Sequence, residues 1–249
     1  MIVLRSKKEV ERLRQCNQVV AEVMKKLNKA VVSGTSTLEL DAMAEKHLRK
    51  MGAVPAFKGY RGYQHTICAS INEEVVHGIP SKRKLKEGDI ISIDIGAKLD
   101  GYFGDHAVTY PVGQVDDKAK TLLKYCEEAL RLGIGMAISG NRLFDISHVI
   151  QKHAESGGYS VVKVYVGHGI GTKLHEEPQV PNFGAQGTGP ELRAGMVIAI
   201  EPMLNEGESE VKVLDDKWTV VTADRGRSAH FEHSVVITDS DPEILSAAA

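Results

Sequence analysis

The chain repeats itself. LKEGDIISID (85–94) matches LRAGMVIAIE (192–201) at an offset of 107 residues, pairing Leu85 with Leu192, Gly88 with Gly195 and Asp94 with Glu201. Ser33-Gly34 matches Ser139-Gly140, His47 matches His153 and Gly52 matches Gly158, each at 106. DHAV (105–108) matches EHSV (232–235) at 127 and pairs Asp105 with Glu232. A generic turn leading into a strand would account for one such match. A near-constant offset over three segments, with acids placed on acids, points instead to a duplicated α+β unit. The rise from 107 to 127 gives the second half 20 extra residues between its two acids, which 205–227 can hold as a longer connection. Two copies of one unit are expected to pack about a pseudo-two-fold axis, with all four acids near the centre.

The element order supports the duplication. Ser6 to Val32 carries Val10, Leu13, Val20, Val23, Met24, Leu27 and Val31 at helical steps, and Ser6 with Glu9 forms a capping box. Ser36 and Glu39 open a second helix that runs to about Met51. Residues 66–71 and 75–80 look extended, and 89–97 and 101–112 read as strands turning at Asp100-Gly101. Helices follow at Asp116 to about Ala137 and at Leu143–Ser156, then strands near 159–166, 196–203, 218–223 and 229–238. The Gly/Pro-rich stretch 176–195 reads as a loop. The whole chain, 1–249, is expected to be one catalytic domain, with repeats at roughly 6–112 and 116–240.

Asp94 follows Ile90, Ile91 and Ile93 in a run that looks buried. An ionised carboxylate there costs several kcal/mol unless a cation meets it. Four carboxylates brought together either take up protons or bind metal. Two carboxylate pairs with a histidine fit two divalent ions roughly 3.5–4 Å apart. Mixed oxygen and imidazole donors suit Mn, Fe, Co or Zn better than Ca or Mg. Among the ten histidines, His168 in YVGHGIG, His175 in HEEP and His77 in EVVHGIP stand at Gly- or Pro-rich turns where the backbone can approach a ligand. His106 and His233 each follow a repeat-paired acid, and either support for that acid or plain strand packing would explain them. Tyr60 and Tyr63 sit on a loop and can line a small apolar pocket. The chain has no His-Glu-x-x-His helix, no Gly-x-Ser-x-Gly elbow and no phosphate loop.

Composition removes other classes. The formal net charge of -2 gives no global attraction to nucleic acid or to an anionic membrane. Cys16, Cys68 and Cys126 are too scattered for a disulfide framework or a zinc ribbon. No signal peptide and no apolar run of membrane-spanning length is visible, so a soluble cytoplasmic protein is expected. The basic run Lys82, Arg83, Lys84 and Lys86 is short, lacks stacking aromatics, and reads as a solvated turn.

SINEEVVHGIP, DGYFGD, GHGIG, HEEPQVPN, IEPM and FEHSVVIT, in that order, resemble the type I methionine aminopeptidases. The resemblance runs from about residue 5 to residue 246. It implies the pita-bread fold: two pseudo-two-fold-related halves around a curved antiparallel sheet flanked by helices. It also implies a catalytic cofactor of two divalent ions (Co, Mn, Fe or Zn). Asp94 would bind one ion, His168 and Glu201 the other, and Asp105 and Glu232 would bridge them. A water or hydroxide between the ions would attack the peptide, with Glu201 as general acid and base. His77 and His175 would contact the substrate around the scissile bond. Tyr60, Tyr63, Cys68, Met203 and Trp218 fall where the family lines its methionine pocket. Phe57, Leu174 and His230 depart from the family pattern and are expected near the pocket rather than on the metals.

The implied activity is removal of the initiator methionine from nascent chains, favouring small second residues. A monomer with at most a transient ribosome contact is expected. The chain resembles the minimal bacterial form. The same fold also hosts X-Pro aminopeptidases, prolidases and non-catalytic binding proteins, so fold alone does not decide. The former carry a large extra N-terminal domain, and the latter are expected to lack one or more of the five ligands. With Ile2 bulky, the chain is expected to keep its own Met1.

Overall fold

The computed structural model describes residues 2–247. Met1, and with it the expected retention of that residue, lies outside them. Four helices form where the apolar spacing places them: α1 (Lys7–Asn28), α2 (Thr37–Lys50), α3 (Asp117–Gly135) and α4 (Leu143–Ser156). Both serine capping boxes are present, so two orphan donors at the start of α1 and of α2 are satisfied locally. Asp116 caps α3 through Ala119 N–H at 2.8 Å.

The helices cover a central nine-stranded sheet. Its main path runs Val54–Pro55, Ile90–Leu99, Tyr102–Pro111, Glu232–Val236, Val197–Ile200, Gly167–Gly169, Glu176–Val180. Ile67–Ile71 joins the Ile90–Leu99 strand, and Glu243–Ile244 joins Glu232–Val236. One apolar core lies under α1 and α2, among Ile91, Ile93, Ile95 and Leu27. A second lies under α3 and α4, among Ile198, Ile200, Val235 and Leu122.

The pseudo-two-fold axis is visible in strand register. At the seam between the halves, Tyr102–Pro111 pairs antiparallel with Glu232–Val236, and His106 stands opposite His233. These two are repeat equivalents, so each half meets the other at the same position. Their rings stack at 4.5 Å and 10°. His106 Nδ1 bonds the Glu232 carbonyl, and His233 Nδ1 bonds Ser246 Oγ at 2.8 Å. Strand packing and support for the Glu232 strand therefore coexist in this pair.

The first-half hairpin is continuous, with ten residues in each arm. Asp100 and Gly101 turn it with φ of 49° and 88°, the two positive values a type I′ turn requires. The second half is broken. Its strands pair as Ile200 with His233, then stop, and the chain passes into a separate sheet where Met203 pairs with His230. The excursion beyond adds Val211–Val213 and Val220–Thr222, and the latter pairs with the first half's Glu74–Val76. The expected long connection at 205–227 is thus partly sheet. The expected loop at 176–195 opens with a strand, Glu176–Val180, whose inward positions are Pro178 and Val180. The expected strand 159–166 contracts to Ser160–Val161, because Lys163 and Val164 are exposed.

Candidate metal centre

Four carboxylates and two imidazoles converge where the halves meet. Asp94 stands opposite Ala107, and Asp105 opposite Gly96, two places along the same arm. Side chains alternate along a strand, so the two acids share one face as diagonal neighbours. Glu201 follows Ile200 and Glu232 precedes His233, the last pair of the broken second hairpin. His168 enters from the adjoining strand, opposite Ala199. Its flanking glycines allow this approach, since a Cβ on Gly167 would lie 2.3 Å from the Ala199 carbonyl oxygen and one on Gly169 2.2 Å from that of Glu177.

Single atoms of Asp105, His168 and Glu232 lie within 4.8 Å of one another. His168 Nε2 is 3.9 Å from Asp105 Oδ2 and 3.6 Å from Glu201 Oε1. Asp105, Glu232 and His168 are buried, while Asp94 and Glu201 open slightly to the cavity. Burial pushes the Asp94 pKa up to about 7 and that of Glu201 up to about 8. Asp105 and Glu232 go well above the ordinary range through burial, then through repulsion from the neighbouring acids. Burial holds His168 down at about 3, so the ring is neutral. Its Nδ1 donates to the Gly169 carbonyl at 2.9 Å, which leaves Nε2 with a free lone pair.

These residues fit divalent metal. Asp94 Oδ1, Glu232 Oε1 and His230 Nε2 are buried with no hydrogen-bond partner. Orphaned oxygens among mutually repelling acids are relieved by cations, and oxygen with neutral imidazole is a transition-metal donor set.

The cluster forms the floor of a cavity of about 740 Å³. One wall carries Tyr63 and Trp218, with rings 5.0 Å apart and edge-on, and Cys68 lines the same space. His77 packs edge-on to Tyr165 at 5.4 Å, and its φ of 60° is a left-handed conformation that a non-glycine residue adopts at a cost. His175 stands on the rim, its Nδ1 2.8 Å from Tyr60 Oη and its ring 4.3 Å from that of His168. Phe57 and Leu174 also line the cavity. Met203 does not. It is fully buried in a separate cluster with Val75, Val162 and Val220, because Pro202 ends the central strand and sends Met203 into the small sheet. His230 lines the cavity too, as expected. It faces the acids, with Nε2 3.6 Å from Glu201 Oε2.

Sequence reasoning missed the supports. Asn17, on the buried face of α1, donates to the Leu13 carbonyl at 2.9 Å and accepts from the Asp105 N–H at 3.3 Å. A polar residue amid the apolar stripe of α1 was the available signal. Asn182 Nδ2 donates to the Glu201 carbonyl at 3.0 Å. Arg5, buried, ion-pairs with Glu176 next to His175. Glu176 in turn accepts from Lys173 N–H at 3.0 Å.

The fold and this site define a metallopeptidase. The model of metallopeptidase family M24 matches residues 11–239, and the chain belongs to that family. Within it, the chain is similar to the methionine aminopeptidases. It is 52% identical to methionine aminopeptidase 1 of Bacillus subtilis over 99% of both chains. It is 51% identical to the methionine aminopeptidase of Clostridium acetobutylicum, again over 99% of both. The crystal structure of the Thermotoga maritima methionine aminopeptidase superposes with a TM-score of 0.98 at 46% identity, covering 99% of this chain and 100% of that one. The prolidase of Pyrococcus furiosus shares the fold, with a TM-score of 0.79 at 22% identity.

Proposed function

We propose that this chain is a dinuclear-metal aminopeptidase that removes the N-terminal methionine of newly made polypeptides with small second residues. The observation that carries this is the acid and imidazole cluster at the floor of a cavity with an aromatic wall. An X-Pro specificity rests on shared fold alone, whereas relatives at about half identity over the full length are methionine aminopeptidases. The protein is expected to act as a cytoplasmic monomer.

Asp94 would hold one ion, and His168 with Glu201 the other. Asp105 and Glu232, one from each half, would complete the ligand set. Bound divalent ions supply Lewis acidity and lower the pKa of water, which provides a nucleophile at neutral pH. Co, Mn, Fe and Zn all suit these donors. Glu201 is placed to take a proton from the attacking water and return it to the departing amine. Burial, then His230 and His175, hold His77 down at about 4, so it is a neutral donor or acceptor for the substrate backbone. His175, oriented by Tyr60, can donate to the scissile carbonyl as negative charge develops there. Tyr60, Tyr63, Cys68 and Trp218 form the side-chain pocket, where a thioether meets aromatic edges favourably.

The test compares Met-Ala and X-Pro peptides on protein that has been chelated and then given metal stepwise. Met-Ala cleavage should vanish on chelation and return with added metal. Indifference to chelation, or faster cleavage of the X-Pro peptide, rules the reading out.

A further inference from the structure

We propose that His230 is a sixth protein donor to the metal centre, a second imidazole placed across Glu201 from His168. This rests on the metal-centre reading above and extends it to a residue expected only near the pocket.

His230 is 2% exposed and lines the same cavity as the acids. Its Nε2 is buried without a hydrogen-bond partner. A buried polar atom left unmet is costly, so it marks a place where a partner belongs. Glu201 Oε2 lies 3.6 Å away, too far for a hydrogen bond. The distance from His168 Nε2 to Glu201 Oε1 is also 3.6 Å. Two donors each roughly 2.0–2.2 Å from one ion at a tetrahedral angle stand roughly 3.3–3.6 Å apart. The two oxygens of Glu201 are therefore flanked alike, each by an imidazole nitrogen at ion-sharing distance.

The backbone fixes His230 in this pose. Its N–H donates to Thr109 Oγ1 at 2.8 Å, and Thr109 Oγ1 donates to its carbonyl at 2.8 Å. Ser92 Oγ, 2.8 Å from Thr109 Oγ1, completes the clamp. All three residues sit on paired strands.

A second nitrogen donor has a chemical consequence. Imidazole favours Zn, Co and Fe, while oxygen donors favour Mn and Mg. Replacing His230 with glutamine, which offers an amide oxygen, should therefore change which metal is preferred as well as how tightly any metal binds.

Two measurements test this. Crystals of the chelated wild-type protein reloaded with Zn or Co should place His230 Nε2 about 2.0–2.3 Å from an ion. In parallel, His230→Gln should lower the Zn-over-Mn ratio of binding constants by about ten-fold or more, measured by competition titration. Ions among the acids with His230 Nε2 beyond about 3 Å from each overturn this proposal and leave the metal centre standing. Equal weakening of Zn and Mn in the variant also overturns it, since a merely structural role would act on both alike. No ion among the acids overturns the metal-centre reading and this proposal together.

Discussion

The two halves present the same chemistry from unlike strands. In the first half, Asp94 and Asp105 stand on an unbroken hairpin of ten paired positions. In the second, the hairpin breaks at Pro202 and Phe231, immediately beside Glu201 and Glu232. Pairing also differs by two places. Asp105 lies opposite Gly96, whereas one further step from the Ile200–His233 pair puts Glu201 level with Glu232. A slip of one would have turned one acid to the far face, but a slip of two keeps every acid on the cavity side. The break frees the chain for an excursion that returns to pair with the first half and carries Trp218 into the cavity wall. One copy thus sets its acids on a continuous hairpin and adds Tyr60, Tyr63 and Cys68 to the pocket, while the other sets its acids at a break and adds Trp218.

The largest effect separates or equates the halves at the bridging acids. Asp105→Ala and Glu232→Ala should each lower kcat/KM on Met-Ala peptides by about a thousand-fold or more, as expected for losing several kcal/mol of metal-derived stabilisation. Near wild-type rates in either variant would break the equivalence.

A smaller effect concerns how the first half holds the second half's loop. Arg5 reaches from the start of α1 to Glu176, beside His175. Arg5→Met should cost about 2 kcal/mol of stability by removing the charged donor from the partly buried Glu176 carboxylate, which keeps only Lys173 N–H and Thr172 Oγ1. It should also lower kcat/KM by about ten-fold through a displaced His175. An Arg5→Met protein with normal kcat/KM would show that the loop orders itself.

The smallest effect is on pH dependence. Asp94 and Glu201 have native pKa values of about 7 and about 8, above their ordinary values. The native state then binds more protons than the unfolded chain, so stability falls as pH rises. The buried histidines act oppositely, but only below about 6.5, where the unfolded chain would be charged. Metal-free protein should therefore lose Tm between about pH 6.5 and about pH 8, and bound metal should abolish the slope. A metal-free Tm that rises across this window would mean the acids of the two halves do not crowd one another.

Much of this was legible in the sequence. Local rules gave all four helices, both serine capping boxes and the Asp100-Gly101 turn, because caps and turns depend on neighbouring residues alone. The repeat gave the meeting of the four acids. The strand Glu176–Val180 was hidden because charged and proline residues obscure an alternation only two apolar positions long. Met203 was misplaced. It lies two residues from Glu201 and would share its face on a continuous strand, but the strand changes sheets between them. Met203 thereby leaves the pocket. Such a switch depends on tertiary pairing, which residue spacing does not carry.

The most direct test is a metal count. Chelated protein titrated with Co under anaerobic conditions should bind two ions per chain with release of protons, and both Asp105→Ala and Glu232→Ala should lose that pair together. Retention of two tightly held ions by either variant would contradict a centre built jointly by the two halves.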